Sequence, residues 1–322
     1  MYGRAAPALA VAELRFLDAL ALGNRLGDIA TEVIGGVPYV TCAAGDWADP
    51  AVRDVVGGAS FRYAVFEPAG GALVPLDVAP AERWDDDLVT IQRYPGKTNE
   101  QFTKLLLNLA LAAGHGADAF SGRRLCVLDP LCGRGTTLNH AVLAGHDAVG
   151  IDSDRRDVEA YVGFFSTWLK DKRAKHQVRR TGKRVTLEVA ASKAAEQAGL
   201  LQRVVVIVDD TASVIDHLGK SSVDALVTDL PYGVQHGSRS GGRLQRDPAE
   251  LLADAAPAWR AALRPGSGMV VAWNTKTLLR RELVEIVEGA GFAVVDPPDG
   301  ADFVHRVDQA ITRDVVVARR PL

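Results

Sequence analysis

Residues 125–137 read LCVLDPLCGRGTT, and few backbone paths accommodate that order. The apolar run Leu125-Cys126-Val127-Leu128 makes a short buried strand, which Asp129 and Pro130 end. Cys132-Gly133-Arg134-Gly135 can then only be a tight turn into a new element. Glycine there lets the backbone take unusual dihedrals and lets a flat ligand lie against it. Residues 137–144 carry a helical pattern ended by Gly145, and a second apolar run, 148–151, stops at Asp152. Strand, glycine turn, helix and strand in this order predict a Rossmann-like α/β domain with a ligand at the turn.

The residue types narrow the ligand. The turn lacks the G-x-G-x-x-G spacing, so a pyrophosphate is not the expected guest. Asp129 would repel a phosphate but suits a cation such as the ammonium of an amino acid. Asp152, about twenty residues past the glycines, is placed to hold the two hydroxyls of a ribose. Both features together point to S-adenosylmethionine.

The string Asp129-Pro130-Leu131-Cys132-Gly133-Arg134-Gly135-Thr136 resembles the D-P-x-C-G-[ST]-G-T cofactor motif of class I methyltransferases that modify amino groups of nucleic acids. The resemblance implies that Asp129, Cys132, Gly133, Gly135, Thr136 and Asp152 bind the cofactor. Upstream, QRYPGKTNEQF (residues 92–102) leads into an apolar helix over 102–113, with Thr98 or Asn99 as its cap and Glu100 in its first turn. Amino-methyltransferases carry a similar element whose side chains close over the methionine end of the cofactor, which implies that role for Thr98. A β-branched strand, 203–208, ends at Asp209-Asp210, and the resemblance assigns Asp210 to the amine of the cofactor's adenine.

A second motif supplies the chemistry. The strand at 223–228 ends at Asp229-Leu230-Pro231-Tyr232-Gly233, where α/β sheets keep their sites. This resembles the [DNS]-P-P-[YFW] motif of amino-methyltransferases, with Leu230 in place of the first proline. A base amino group is a poor nucleophile because its lone pair is delocalised into the ring, so it must be turned and its hydrogens bound by acceptors. The Asp229 carboxylate and the Leu230 carbonyl are those acceptors, Pro231 stiffens the turn, and Tyr232 offers a ring for a base to stack on. Methylation at a cytosine ring carbon needs a cysteine nucleophile, and none is near this motif. The glycine-rich stretch that follows, 236–247, carries Arg239, Arg243 and Arg246 and reads as a loop or a lid over substrate.

Length and composition set the frame. A chain of 322 residues has room for one large or two modest domains, and its net charge of -3 argues against a protein that coats nucleic acid through global charge and leaves that contact to a local basic patch. The dense positive run, KDKRAKHQVRRTGKR at 170–184, reads as a solvated helical face or as an insertion that contacts phosphates. A helix is expected over 190–201. Three scattered cysteines and the histidine spacing give neither a disulfide framework nor a metal site. An apolar start at 5–12 is interrupted by Glu13, Arg15 and Asp18, and no run is of membrane length, so a cytoplasmic location is expected.

The expected organisation is a small α+β N-terminal domain over 1–86 and a catalytic domain over 87–322, built on a seven-stranded sheet with an antiparallel last strand. The catalytic domain resembles the THUMP-associated tRNA guanine-N2 methyltransferases and their relatives. It implies an S-adenosylmethionine-dependent enzyme that methylates an exocyclic amine of guanine in tRNA or another RNA. A DNA amino-methyltransferase, a small-molecule or protein N-methyltransferase, and a silent RNA-binding protein of the same fold are the alternatives.

Overall fold

A computed structural model describes residues 2–78, 82–190, 192–231 and 247–322, with side chains from Ala5 onward. The chain begins with helix α1 (Tyr2–Leu17), continued by one π turn (Asp18–Leu22), and a hairpin of β1 (Leu26–Ile34) and β2 (Val37–Ala44). Helix α2 (Pro50–Gly58) follows, with Pro50 in its first turn and the Asp49 side chain accepting from the Ala51 amide at 2.8 Å. A second hairpin, β3 (Val65–Ala69) with β4 (Ala72–Leu76), precedes the short helix α3 (Asp87–Thr90).

From there strands and helices alternate: α4 (Glu100–His115), β5 (Cys126–Asp129), α5 (Thr136–Leu143), β6 (Asp147–Asp152) and α6 (Arg155–Asp171). Then come β7 (Lys175–Thr181), β8 (Arg184–Ala190), α7 (Lys193–Gln197), β9 (Gln202–Val208), α8 (Val214–Leu218) and β10 (Val223–Asp229). The final elements are α9 (Pro248–Ala262), β11 (Leu263–Asn274), α10 (Arg280–Gly289), β12 (Ala293–Val295), β13 (His305–Arg306) and β14 (Thr312–Arg319).

The large sheet runs β12-β14-β11-β10-β5-β6-β9-β8-β7. Its centre, β11 to β9, is parallel, and β14 lies antiparallel between β11 and β12. Those seven strands, β12 to β9, form the expected Rossmann-like sheet with its antiparallel last strand. The central strands β11, β10, β5, β6 and β9 are buried on both faces along their apolar runs, so consecutive side chains enter different cores. In β9, Val204 and Val206 pack with α4, α5 and α6, while Val205 and Ile207 pack with α9 and α10.

Two expectations are corrected at the β9 edge. The sheet does not stop there but continues antiparallel into β8 and β7, so the basic run is not a helical face. Helix α6 ends at Asp171, Arg173 takes a positive φ of 53°, and residues 175–181 turn back as an edge strand. The partner strand explains why: in β8, Val185, Leu187 and Val189 are buried and alternate with partly exposed Arg184, Thr186 and Glu188. That period of two selects a strand, and the charged β7 leaves the sheet edge poorly suited to further pairing. The helix expected over 190–201 shrinks to α7, which begins where Ser192 accepts from the Ala195 amide at 3.0 Å.

The N-terminal elements pack onto the large sheet through α4. Leu9, Ala12 and Phe16 join the core that contains α4, while Leu14, Leu17, Leu26, Val52 and Val55 form a smaller cluster with Ala112. Between them lies a fully buried carboxylate, Glu13, which accepts from the Ser60 amide at 3.0 Å and from Asn108 Nδ2 at 2.7 Å. Burial raises its pKa.

Candidate active site

Three adjacent parallel strands each end in an aspartate: β5 in Asp129, β6 in Asp152 and β10 in Asp229. Their carboxyl ends therefore form one acidic edge, at the place where α/β sheets bind ligands.

The glycine turn is folded tightly against β6. The Cys132 amide donates to the Ile151 carbonyl at 3.0 Å, the Gly133 amide to Asp152 Oδ2 at 2.8 Å, and the Gly135 amide to the Cys132 carbonyl at 2.7 Å. Gly135 opens α5 with a φ of 77°, and a Cβ there would lie 2.3 Å from the Tyr161 ring. Both conformation and close approach demand glycine. Thr136 meets the Tyr94 hydroxyl at 2.8 Å, Gln92 Nε2 donates to the Arg134 carbonyl at 3.2 Å, and the Arg134 guanidinium lies 5.1 Å above the Tyr94 ring. Segment 92–94 thus covers the turn.

Electrostatics indicate what the turn receives. Asp129 is buried, and its pKa is pushed up to about 7 by desolvation, with Asp152 and Asp229 adding to the rise. Burial also raises Asp152 and Asp229. A buried cluster of mutually repelling carboxylates is relieved by a cation, so the site fits a ligand carrying an ammonium and a sulfonium. Asp152 accepts amides from Gly133 and Asp154, each at 2.8 Å, and two-oxygen carboxylates have capacity left for hydroxyls. Asp210 stands at the tip of the next strand, β9, where its side chain accepts from the Ala212 amide at 3.0 Å. Its neighbour Asp209 binds Lys183 Nζ at 2.9 Å and His217 Nε2 at 2.7 Å, which hold its carboxyl down at about 2.

At Asp229 the arrangement differs in kind. Thr98 Oγ1 donates to Oδ2 at 2.9 Å, and Arg313 donates to the same oxygen at 3.0 Å. Thr98 thus stands beside the acceptor motif, while Asn99, not Thr98, caps α4 by accepting from the Phe102 amide at 3.1 Å. The Leu230 amide donates to the Ala272 carbonyl at 2.8 Å, and the Leu230 side chain is buried in the core. Proline has no amide hydrogen to donate and a smaller side chain to bury, so the departure from the double-proline motif has a structural counterpart. Pro231 is partly exposed. Tyr232 and all but the last residue of the expected lid at 236–247 lie outside the described residues.

Beside Asp229 is a cavity of about 340 Å³ lined by Lys97, Thr98, Asn99, Glu100, His305, Val307 and Arg313. Phe102 backs it, with the Arg313 guanidinium 5.0 Å from its ring and His305 at 4.9 Å edge-on. Sequence reasoning missed Tyr94, His305 and Arg313. The one available signal for Arg313 was a charged pair, Arg313-Asp314, opening an otherwise apolar strand. Among the described residues no cluster fits a metal ion, and no helix is long and apolar enough to cross a membrane.

Comparison with known proteins adds a family. The family described as UPF0020, RMKL-like, methyltransferase domain matches residues 98–281, more than half of the chain. Similar solved structures include TrmN from Thermus thermophilus, 19% identical over 77% of this chain and 56% of that one, with a TM-score of 0.41. A TehB-like SAM-dependent methyltransferase from Corynebacterium glutamicum is 17% identical over 63% and 84%, with a TM-score of 0.37. A putative rRNA methylase from Clostridium thermocellum is 18% identical over 61% and 88%, with a TM-score of 0.38. No curated protein matches this chain. The matched segment runs from Thr98 through the cofactor turn and Asp229, and the chain belongs to the RMKL-like methyltransferase domain family as an S-adenosylmethionine-dependent methyltransferase.

Proposed function

We propose that this enzyme methylates an exocyclic amino group of a nucleobase in RNA, with guanine N2 in tRNA as the leading target. The observation that carries the reading is the adjacency of the two motifs. Strand β10, which ends at Asp229 and leads into Leu230-Pro231, lies directly beside β5, which ends at Asp129 and leads into the glycine turn. S-adenosylmethionine, when bound, supplies an electrophilic methyl group on a positively charged sulfur. Asp129 would face its ammonium, Asp152 its ribose and Asp210 its adenine amine, with Cys132, Gly133, Gly135 and Thr136 forming the floor.

The chain's own contribution to the reaction is positioning. Asp229 and the Leu230 carbonyl accept the hydrogens of the amine and turn its nitrogen toward the cofactor turn. Tyr232, by resemblance, stacks on the base, a contact worth about 1–3 kcal/mol. For RNA, the β7–β8 hairpin offers limited positive charge. Lys172, Lys175, Arg180 and Lys183 are ion-paired to Asp85 and Asp87, Glu196, Glu159 and Asp209. Lys170, Arg173 and Arg179 form no ion pair among the described residues, and these would meet phosphates.

The test is transfer of labelled methyl from S-adenosylmethionine into separate RNA, DNA, protein and metabolite pools, followed by nucleoside analysis. Label in N2-methylguanosine supports the reading; label confined to DNA, protein or metabolites overturns it. Asp229→Ala should keep cofactor affinity and lose transfer, and undiminished turnover would remove Asp229 from the mechanism.

A further inference from the structure

We propose that Arg313, reaching in from the antiparallel strand β14, is the positioning residue for the acceptor carboxylate, which it grips together with Thr98 so that Asp229 addresses the amine in one fixed orientation. The inference rests on the N-methyltransferase reading above. Both donors converge on one oxygen, Oδ2, and two anchors on one atom fix the rotation of a carboxylate that a single contact would leave to swing. Both donors also line the 340 Å³ cavity, a volume in the range of small-ligand sites. The clamp is therefore part of the acceptor cavity's wall.

A purely structural role explains less. Strand β14 is already registered to β11 from Arg319 opposite Gly268 to Arg313 opposite Asn274, so the ion pair is not needed to set strand order. A buried ion pair contributes little net stability compared with apolar residues of similar size. The Arg313 side chain is only 6% exposed, and its guanidinium lies over the Phe102 ring. That packing leaves it little freedom and makes it a rigid donor of planar geometry, which lysine would not reproduce.

The clamp has an electrostatic consequence. Among the described residues, the charged or titratable groups facing Asp229 are Arg313 on β14, His305 on β13 and Asp129 on β5. Burial raises the Asp229 pKa, while Arg313, Thr98 and His305 oppose the rise. An ionised carboxylate accepts at both oxygens, whereas a protonated one donates at one of them. Loss of Arg313 therefore leaves the carboxylate on the Thr98 anchor alone and lowers its acceptor capacity.

The experiment follows the Asp229 carboxyl by NMR titration of protein labelled at aspartate, assigned with Asp229→Asn, in the wild type, Arg313→Gln and Arg313→Lys. Each is also assayed for S-adenosylhomocysteine affinity and for the pH profile of labelled methyl transfer. Arg313→Gln is expected to move the Asp229 titration up by about 1–3 pH units, to lower kcat tenfold or more with a smaller change in KM, and to shift the acid limb of the profile upward. Arg313→Lys should recover part of the titration and little of kcat, and S-adenosylhomocysteine affinity should hold. If Arg313→Gln does not fold, Thr98→Val removes the other anchor and is expected to shift titration and kcat in the same directions by less. An unmoved titration, or an unmoved kcat beside a moved titration, overturns the inference. A wild type that labels no pool overturns the functional reading instead, and the titration still decides whether Arg313 controls Asp229.

Discussion

Substituting Gly135 by alanine tests the cofactor turn at its tightest point. The new Cβ would sit 2.3 Å from Tyr161 Cδ2 and 2.4 Å from Cε2, on a backbone with φ of 77°. The left-handed conformation costs an alanine about 1–2 kcal/mol. Relieving the overlap moves a fully buried ring stacked on Phe165 at 5.8 Å, an overpacking penalty of about 1–3 kcal/mol. The sum, about 2–5 kcal/mol, is a large part of the stability of an ordinary domain. Urea denaturation of the wild type and Gly135→Ala measures it, and calorimetry with S-adenosylhomocysteine should show weakened binding. The two contributions separate in a Tyr161→Ala background, where the Cγ and ring atoms that the new Cβ would meet are absent and the same substitution should cost only the conformational part, about 1–2 kcal/mol. Equal losses in both backgrounds would refute the close-approach argument, and a wild-type denaturation midpoint for Gly135→Ala would refute both parts.

Other expectations follow from the same geometry. Because the Asp129 pKa is raised from an ordinary aspartate value to about 7, the folded chain keeps a proton that the unfolded chain has released. Its contribution to stability is present below the ordinary aspartate range and falls as pH rises toward 7. Asp129→Asn should flatten that decline in urea midpoints measured across this window, and an unchanged slope would argue against the buried cluster. Leu230→Pro, which restores the proline of the resembled motif, removes the hydrogen bond from the residue 230 amide to the Ala272 carbonyl, worth about 0.5–1.5 kcal/mol, and a buried leucine besides. A denaturation midpoint at or above wild type would contradict this account of the departure. Reversing the charge of Lys170, Arg173 and Arg179 should reduce the slope of log affinity for tRNA against log salt by about 2, at about 0.7 per phosphate contact. An unchanged slope would place the phosphate contacts elsewhere.

The legible parts of the fold were those encoded by neighbours in sequence. The run from Leu125 to Thr136 encodes strand, turn and helix start consecutively, and β9 reads as a buried strand from Val204-Val205-Val206-Ile207 alone. The β7–β8 hairpin was obscured because the charge density of 170–184 dominates the local pattern, while the alternation that selects a strand begins at Arg184 and needs β9 as its partner. The acceptor cavity was least legible. Thr98, Asp229, His305 and Arg313 come from four separated segments, and β14 reaches Asp229 only because it inserts between β11 and β12. No spacing along the chain records that insertion.

Helix α4 carries a further consequence. Near its end, Gly114 meets Gly268 of β11 so closely that a Cβ on Gly114 would lie 2.6 Å from the Gly268 nitrogen, and one on Gly268 would lie 2.2 Å from the Ala110 carbonyl oxygen. Helix and sheet touch there backbone to backbone, with only the Ala113 methyl beside the contact. The other end of α4 holds Thr98, Asn99 and Glu100 at the acceptor cavity. The helix is thus a strut welded to the sheet at its far end, and the acceptor cavity inherits the stiffness of that joint. A side chain added at either glycine would lever the cavity wall away from Asp229 from more than a dozen residues distant, across a helix whose rise is about 1.5 Å per residue.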